Sequence, residues 1–137
     1  MSYGCSAALQ AAIYDRLVAD PALSGLVGAE IHDAPPPGPL PPLYVLLGDE
    51  VALDRSDKTG AGARHEVTIS VIGTGAGFAE AKAAAAAVSD ALLRGAPPEM
   101  SRGRIAGLWF LRAQARRSGA RGLRRIDLRF RARVEDD

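Results

Sequence analysis

The sequence predicts an α+β fold in which an antiparallel sheet of about four strands carries two main helices packed on one face. Two stretches alternate between apolar and polar residues, Arg64–Ile72 and Leu123–Glu135, which is typical of half-buried strands. A third stretch, Phe78–Leu93, is rich in alanine and lacks glycine and proline, so it favours a helix. Because 137 residues suffice for one ordinary core, we expect residues 1–137 to form a single domain.

The N-terminal part of the sequence predicts a layer of helices. Ser6–Ala19 places Leu9, Ala12, Ile13 and Leu17 on one face, as in an amphipathic helix, and Ser6 is suited to cap the first turn. Asp20 and Pro21 are favourable residues for the N-cap and first position of a second helix. That short helix is expected to end at Gly28, and we interpret the whole region as a cover over the sheet.

The middle of the sequence predicts a strand hairpin. Glu30–Asp33 is a short extended piece, and the proline-rich run at residues 35–42 can form neither a helix nor a central strand. We interpret that run as an ordered crossover loop. Leu43–Asp49 is apolar on both faces and predicts a strand. The polar stretch Glu50–Gly62 is expected to join it to the antiparallel strand Arg64–Ile72.

Two further strands are expected near the C-terminus. In Ile105–Arg116, strict alternation places Trp109 on one face and Arg112 on the other. In the last strand the apolar residues point to the core and the arginines point outward. Under this assignment the arginine-rich face of the sheet carries no aromatic side chain. The outward arginines of the last strand are Arg125, Arg129, Arg131 and Arg133.

Residues that usually carry catalysis or bind metals form no recognisable set in the sequence. His32 and His65 lie far apart with no motif linking them, and Cys5 is the one cysteine. The glycine turn at residues 73–77 lacks the G-x-G-x-x-G spacing of a dinucleotide site and the Gly-Lys-Ser/Thr ending of a phosphate loop. We therefore expect no enzymatic activity, no cofactor and no metal site.

Composition and charge argue against several classes of protein. The formal net charge is +1, so the charge of the whole molecule does not indicate nucleic-acid binding. No apolar run approaches the ~20 residues of a membrane span, and the N-terminus lacks the pattern of a signal peptide. We expect synthesis in the bacterial cytoplasm and no membrane partner. Much of the apolar content is alanine, which predicts a thin core and favours burial completed by oligomerisation.

Two charged segments are candidate interaction surfaces. The loop between the central strands carries both signs of charge, and long loops of this kind often bind a partner. The arginines of the last strand can be neutralised by carboxylates across strands or between subunits, or can follow a phosphate backbone. Assembly is the leading interpretation, and a nucleic-acid-binding module that uses the last strand is the alternative. The candidate interface residues are Asp54, Arg55, Asp57, Lys58, Arg125, Arg129, Arg131 and Arg133.

Several short phrases, in their order along the chain, resemble the tail-terminator (tail-completion) proteins of long-tailed phages and phage-like gene transfer agents. They span nearly the whole chain, and none of them is a catalytic motif. The phrases are Ala8–Tyr14 with Leu17, Asp20–Leu23, Ile31–Pro36, Pro42–Gly48, His65–Ile69 and Glu80–Lys82. The arginine-rich last strand departs from the commonest pattern of the family.

The resemblance implies a structural role in particle assembly. Such proteins form a ring, usually of six subunits, that caps the tail tube and meets the head connector. The partners implied are further copies of the chain, the tail tube protein, and the head connector or stopper protein. The resemblance also implies that DNA passes through the ring without specific binding. The expected location is the head–tail junction of a virion or gene transfer agent particle.

Overall fold

The computed structural model of the chain describes residues 3–54, 62–75, 77–120 and 122–136. These residues form three helices and five strands, and the boundaries of the last strand are those that the alternation predicts. The elements in chain order are α1 (Ser6–Val18), α2 (Pro21–Val27), β1 (Ile31–His32), β2 (Leu43–Asp54), β3 (Gly62–Gly73), α3 (Ala79–Leu93), β4 (Arg104–Ser118) and β5 (Leu123–Glu135).

The five strands make one sheet in the order β1-β2-β3-β5-β4. The four long strands pair antiparallel throughout, so the predicted α+β architecture is confirmed. The fifth strand, β1, is an addition to the predicted sheet, because its two residues pair parallel to β2. The order of the strands leaves β1 at one edge of the sheet and β4 at the other.

The hairpin of β2 and β3 is longer than the sequence predicts. Its register shifts between Leu47 and Glu50 and then continues to the pair Asp54 and Ala63. The prediction that residues 50–62 form a loop is therefore wrong for its first part, which is strand. The irregularity in the register explains the error, because a bulge breaks the alternation that marks a strand in sequence.

One hydrophobic cluster joins all three helices to a single face of the sheet. The predicted core positions on β3 and β5 are buried, except that Val67 is only half-buried against the cluster. Helix α3 contributes mostly alanines, whose small side chains let its backbone approach the sheet closely. The buried core residues predicted from alternation are Ile69, Val71, Ile126, Leu128 and Phe130.

Two bulges in β4 change which of its side chains share a face. The register against β5 shifts between Ile105 and Gly107 and again after Phe110. As a result Phe110 lies opposite Phe130 on the helix-covered face, with ring centroids 5.8 Å apart. Trp109 lies opposite Arg131 on the other face. The strict alternation expected for this strand is therefore wrong.

The start of α1 also differs from expectation. Cys5 occupies the N-cap position, and no side chain makes a capping hydrogen bond there. The Ser6 hydroxyl instead donates to Glu50 Oε1 at 2.7 Å, which ties the helix to β2. At α2 the prediction is confirmed, because Asp20 caps the helix by accepting a hydrogen bond from the Leu23 amide at 2.9 Å.

Candidate interaction surface

The sheet face opposite the helices is rich in arginine, and we call it the arginine face. Residues directly opposite each other in an antiparallel pair point to the same side of the sheet. The pairings of β5 with β3 and with β4 therefore place these arginines on one side. The arginine face comprises Arg64, Arg104, Arg112, Arg116, Arg125, Arg129, Arg131 and Arg133.

Two carboxylates on the arginine face neutralise part of its charge. Glu66 Oε2 lies 3.4 Å from Arg64 Nε and 3.6 Å from a terminal nitrogen of Arg131. Asp127 pairs with Arg116 at 3.1 Å and with Arg125 at 2.9 Å. These ion pairs, two between strands and two within one strand, account for four of the arginines. Arg104 pairs separately with Glu135 at 2.7 Å.

Asp127 is held in its ionised form by its neighbours. Burial alone would raise its pKa, but hydrogen bonds from Ser70, Arg125 and Arg116 outweigh that effect and lower the pKa. Ser70 is 1% exposed although it lies on the face away from the helices. The Ser70 hydroxyl donates to Asp127 and accepts from Arg125. The centre of the arginine face is thus a hydrogen-bonded network around Asp127.

The remaining arginines of this face form no ion pair with a described residue. Among the residues that the structure describes, no carboxylate lies within ion-pair distance of Arg112, Arg129 or Arg133. The four candidate arginines of the last strand thus fall into two classes. Arg125 and Arg131 are paired with described carboxylates, whereas Arg129 and Arg133 have no such pair within the described ranges.

A shallow cleft of about 480 Å³ lies on the arginine face beside Trp109. Its other lining residues are Leu111 and the arginines at positions 64, 131 and 133. Trp109 is 51% exposed. The expectation that this face carries no aromatic side chain is therefore wrong, and the cause is the pair of bulges in β4.

The charged loop proposed as an interface falls largely outside the described residues. Arg55, Asp57 and Lys58 lie in that part of the chain, and only Asp54 can be placed. Asp54 is the exposed last residue of β2, rather than a residue of the loop.

A buried polar cluster on the helix-covered face was not foreseen from the sequence. His65 is fully buried, and its Nδ1 lies 2.9 Å from Glu50 Oε2. Glu50 also accepts hydrogen bonds from the hydroxyls of Tyr3 and Ser6. Burial favours the neutral form of Glu50, but these hydrogen bonds from Tyr3, Ser6 and His65 prevail and lower its pKa. The cluster fastens the N-terminal segment to the sheet.

Potential chemical sites are sparse in the part of the chain that the structure describes. His32 contacts Glu30 at 2.9 Å, while His65 belongs to the separate cluster around Glu50. No group of three histidine, cysteine, aspartate or glutamate residues comes together there in a way that could hold a metal ion. None of the described helices is long and apolar enough to cross a membrane.

Comparison with known protein families identifies the chain. The sequence pattern of the family described as "Tail completion protein gp17" matches residues 11–135. The chain belongs to this family of tail completion proteins. The resemblance noted in the sequence is thereby confirmed over nearly the whole chain.

A solved structure contains a chain with the same fold as this tail completion protein. The matching chain comes from a structure titled "Virion of native gene transfer agent (GTA) particle". The two chains are 63% identical, the match covers 98% of this chain and 99% of the other, and the TM-score is 0.91. A search of curated proteins finds no match. Family and fold together describe a structural protein of the phage-tail type.

Proposed function

We propose that this tail completion protein is the subunit of a tail-terminator ring. Copies of the chain form a closed ring, expected to be a hexamer, that caps the tail tube. The ring meets the head connector or stopper protein at the head–tail junction of a phage or gene transfer agent particle. DNA passes through the ring without specific binding, and the role requires no catalytic step.

The observation that carries the proposal is the correspondence with the gene transfer agent chain. An identity of 63% that extends over 98% of this chain leaves little room for a different architecture. The surface of the described residues fits the same role. One face of the sheet is free of helices, and β4 is an edge strand that exposes both Trp109 and Phe110. Exposed strand edges of this kind are places where chains associate.

Light scattering coupled to size-exclusion chromatography tests the ring. The purified protein should elute with a mass six times that of the 14.3 kDa chain. A closed ring gives one mass over a wide range of concentrations, whereas open-ended association gives a mass that rises with concentration. A protein that stays monomeric throughout would contradict the proposal.

Gene deletion tests the role in the particle. A particle-producing host that lacks this gene should make heads and tails that remain separate under the electron microscope. The intact chain supplied from a plasmid should restore joined particles. Normal particles from the deletion strain would show that the chain is dispensable for joining.

A second candidate function is binding of single-stranded nucleic acid on the arginine face. The observation that favours it is Trp109, because single-strand sites combine a cationic surface with aromatic side chains on which bases stack. Affinity for a short single-stranded DNA, measured across a range of salt concentrations, separates the two candidates. The ring proposal expects weak binding that Arg129→Ala does not change. Tight, salt-dependent binding that is lost in Arg129→Ala but kept in Arg94→Ala, at the end of α3, would favour the second candidate.

A further inference from the structure

Among the described residues, both edges of the sheet contain backbone that no neighbouring strand covers. β4 pairs with β5 on one side only, along its whole length from Arg104 to Ser118. At the other edge, β1 covers only Val45 and Leu46 of β2. Within the described residues, the second half of β2 therefore lies at an edge as well. Rows of unpaired N–H and C=O groups are templates for pairing with another strand.

The two open edges carry opposite charge. β4 contains arginines and no acidic residue, and every residue of it from Arg112 to Arg117 is exposed. β2 contains acidic residues and neither lysine nor arginine. Its carboxylates all follow Gly48, in the half of the strand that β1 does not cover. Because Glu50 is held within its own chain by Tyr3, Ser6 and His65, the two edges are complementary in net charge rather than through one-to-one ion pairs.

Apolar side chains accompany the charges at both edges. Val51 and Leu53 of β2 are 49% and 37% exposed, and cross-strand pairing places both on the arginine face. Trp109 of β4 is exposed on that same face. Exposed apolar residues beside an open edge are unfavourable in a monomer, and burial against a second chain would remove them from water.

The directions of the strands also fit a contact between opposite edges. The four long strands, in the order β2-β3-β5-β4, alternate in direction. Because the number of these strands is even, a second copy can lie in the same orientation beside the β4 edge of the first copy. The β2 strand of the second copy then runs antiparallel to β4 of the first. The sheet then continues across the junction with the antiparallel pairing it has inside each chain. A contact between two unlike surfaces, repeated by rotation, is the kind that closes a ring.

Contacts between like edges are disfavoured by the same charges. Pairing β4 with a second β4 would bring the arginines of Arg112–Arg117 against each other. Pairing β2 with a second β2 would set carboxylates against carboxylates. Like charges directly opposite each other in a sheet are destabilising.

We infer that the β4 segment from Arg112 to Ser118 of one copy pairs antiparallel with the Gly48–Asp54 segment of β2 in the next copy. The contact joins the sheets of neighbouring subunits into one continuous sheet around the ring. This inference rests on the proposed ring, and it names the surfaces through which the ring closes. With Val51 opposite Arg116, six residues of each segment pair, so the contact extends over roughly 20 Å of strand.

Cysteine crosslinking between two differently substituted copies tests the contact. One copy carries Val51→Cys or Leu53→Cys, and the other carries Arg112→Cys, Gln114→Cys or Arg116→Cys, all on the arginine face. The mixed copies are assembled and oxidised with diamide, which accepts the two hydrogens of a thiol pair as the disulfide forms. The native Cys5 is buried, so the unsubstituted protein serves as the background control.

The pattern of crosslinks reports the direction of pairing. In antiparallel strands, the pairs that crosslink have a constant sum of residue numbers, for example positions 51 with 116 and 53 with 114. We expect such a series of crosslinks. Its yield should be several-fold higher than the yield obtained when the first copy carries Ala52→Cys, on the helix-covered face, instead of Val51→Cys or Leu53→Cys. A constant difference of residue numbers would mean parallel strands and would overturn the inference, as would crosslinks between two Gln114→Cys copies.

Light scattering on the same samples separates the two levels of the argument. A ring that gives no crosslink above the Ala52→Cys background refutes the edge contact and leaves the proposed ring standing. A protein that remains monomeric refutes both. A ring with the antiparallel series of crosslinks supports both.

Discussion

Glu50 is the residue at which three segments of the chain meet. It belongs to β2, it lies beside the buried His65 of β3, and it accepts hydrogen bonds from Tyr3 and Ser6. The sequence gives no sign of this role, because Glu50 stands at the start of a stretch that reads as a polar loop. The same contact explains why Ser6 does not cap α1, since its hydroxyl is used by Glu50. The wrong cap assignment therefore comes from a long-range contact that local pattern cannot reveal, whereas the wrong loop assignment comes from the bulge before Glu50.

Acidification should weaken the fold through Glu50. Its pKa in the folded state is lowered, so its ionised form adds stability above the unfolded-state pKa and loses it as pH falls through the folded-state value. We predict that Glu50→Gln is less stable than wild type at pH 7. We also predict that it loses less stability between pH 7 and about pH 3, a range that spans the titration of carboxylates. Urea unfolding at both pH values measures the difference.

Glu80→Gln provides the control for this pH experiment. Glu80 is an exposed carboxylate in the first turn of α3, so its substitution should leave the pH dependence close to that of wild type. Equal losses of stability on acidification in wild type and Glu50→Gln would show that the cluster around Glu50 contributes nothing to folding.

At the scale of the element, unbroken alternation is what made a strand predictable. β5 alternates without interruption, and its boundaries and faces are as the sequence indicates. β4 contains two bulges, which have no reliable signal in a single sequence. Each bulge shifts the alternation by one residue, and Trp109 lies between the two bulges. Strict alternation therefore predicts the wrong face for Trp109. The arginine face was therefore predictable in its charges but not in its aromatic residue.

The pairing of charges on the arginine face also depended on the sheet. Sequence alone indicates that Asp127, Glu135, Glu66 and Asp49 could neutralise the arginines, but not which carboxylate meets which arginine. The register of β3 and β4 against β5 decides this, because it places Glu66 opposite Arg131 and Asp127 beside Arg116. Arg129 remains without a carboxylate partner among the described residues, and it lies opposite Thr68.

Substitutions at two adjacent positions of β3 test its two faces. Ile69 is 1% exposed within the core, and Ile69→Asp would bury an unpaired charge there. We predict a loss of more than about 4 kcal/mol, the range of the most severe substitutions, and hence an unfolded or insoluble protein. Thr68→Asp is the matched control, since it adds the same group beside Arg129 and should leave the fold intact. Circular dichroism melting measures both, and a cooperative, soluble Ile69→Asp variant would mean that the faces are reversed.

At the scale of the whole molecule, the distribution of charge matters more than its sum. The net charge of +1 gives no indication of function. The order of strands, however, puts the basic β4 at one edge and leaves the acidic half of β2 at the other. Composition cannot show this, because it depends on which strands become edges. The exposed backbone of both edges is the part of the molecule that assembly could use.

The loop between β2 and β3 is the other part of the molecule that we expect to serve assembly rather than folding. The last described pair of the hairpin joins Asp54 to Ala63, and the intervening candidates Arg55, Asp57 and Lys58 lie outside the described residues. Replacing residues 55–61 with a single asparagine would leave a two-residue Asn-Gly turn before Ala63, a connection that suits a tight hairpin. We predict a melting temperature within a few degrees of wild type, because the described residues already form one hydrophobic cluster that joins the helices to the sheet.

The same shortened protein should fail to join heads to tails. A partner that orders a loop must offset roughly 1–2 kcal/mol of backbone entropy per residue, and a ring offsets it by repeating each contact around its axis. Removal of the loop therefore removes every copy of that contact at once. Particles made with the shortened chain in the deletion host, counted by electron microscopy as joined or separate, give the result. Normal joining would exclude the loop from the mechanism, whereas a protein that no longer melts cooperatively would show that the loop supports the fold.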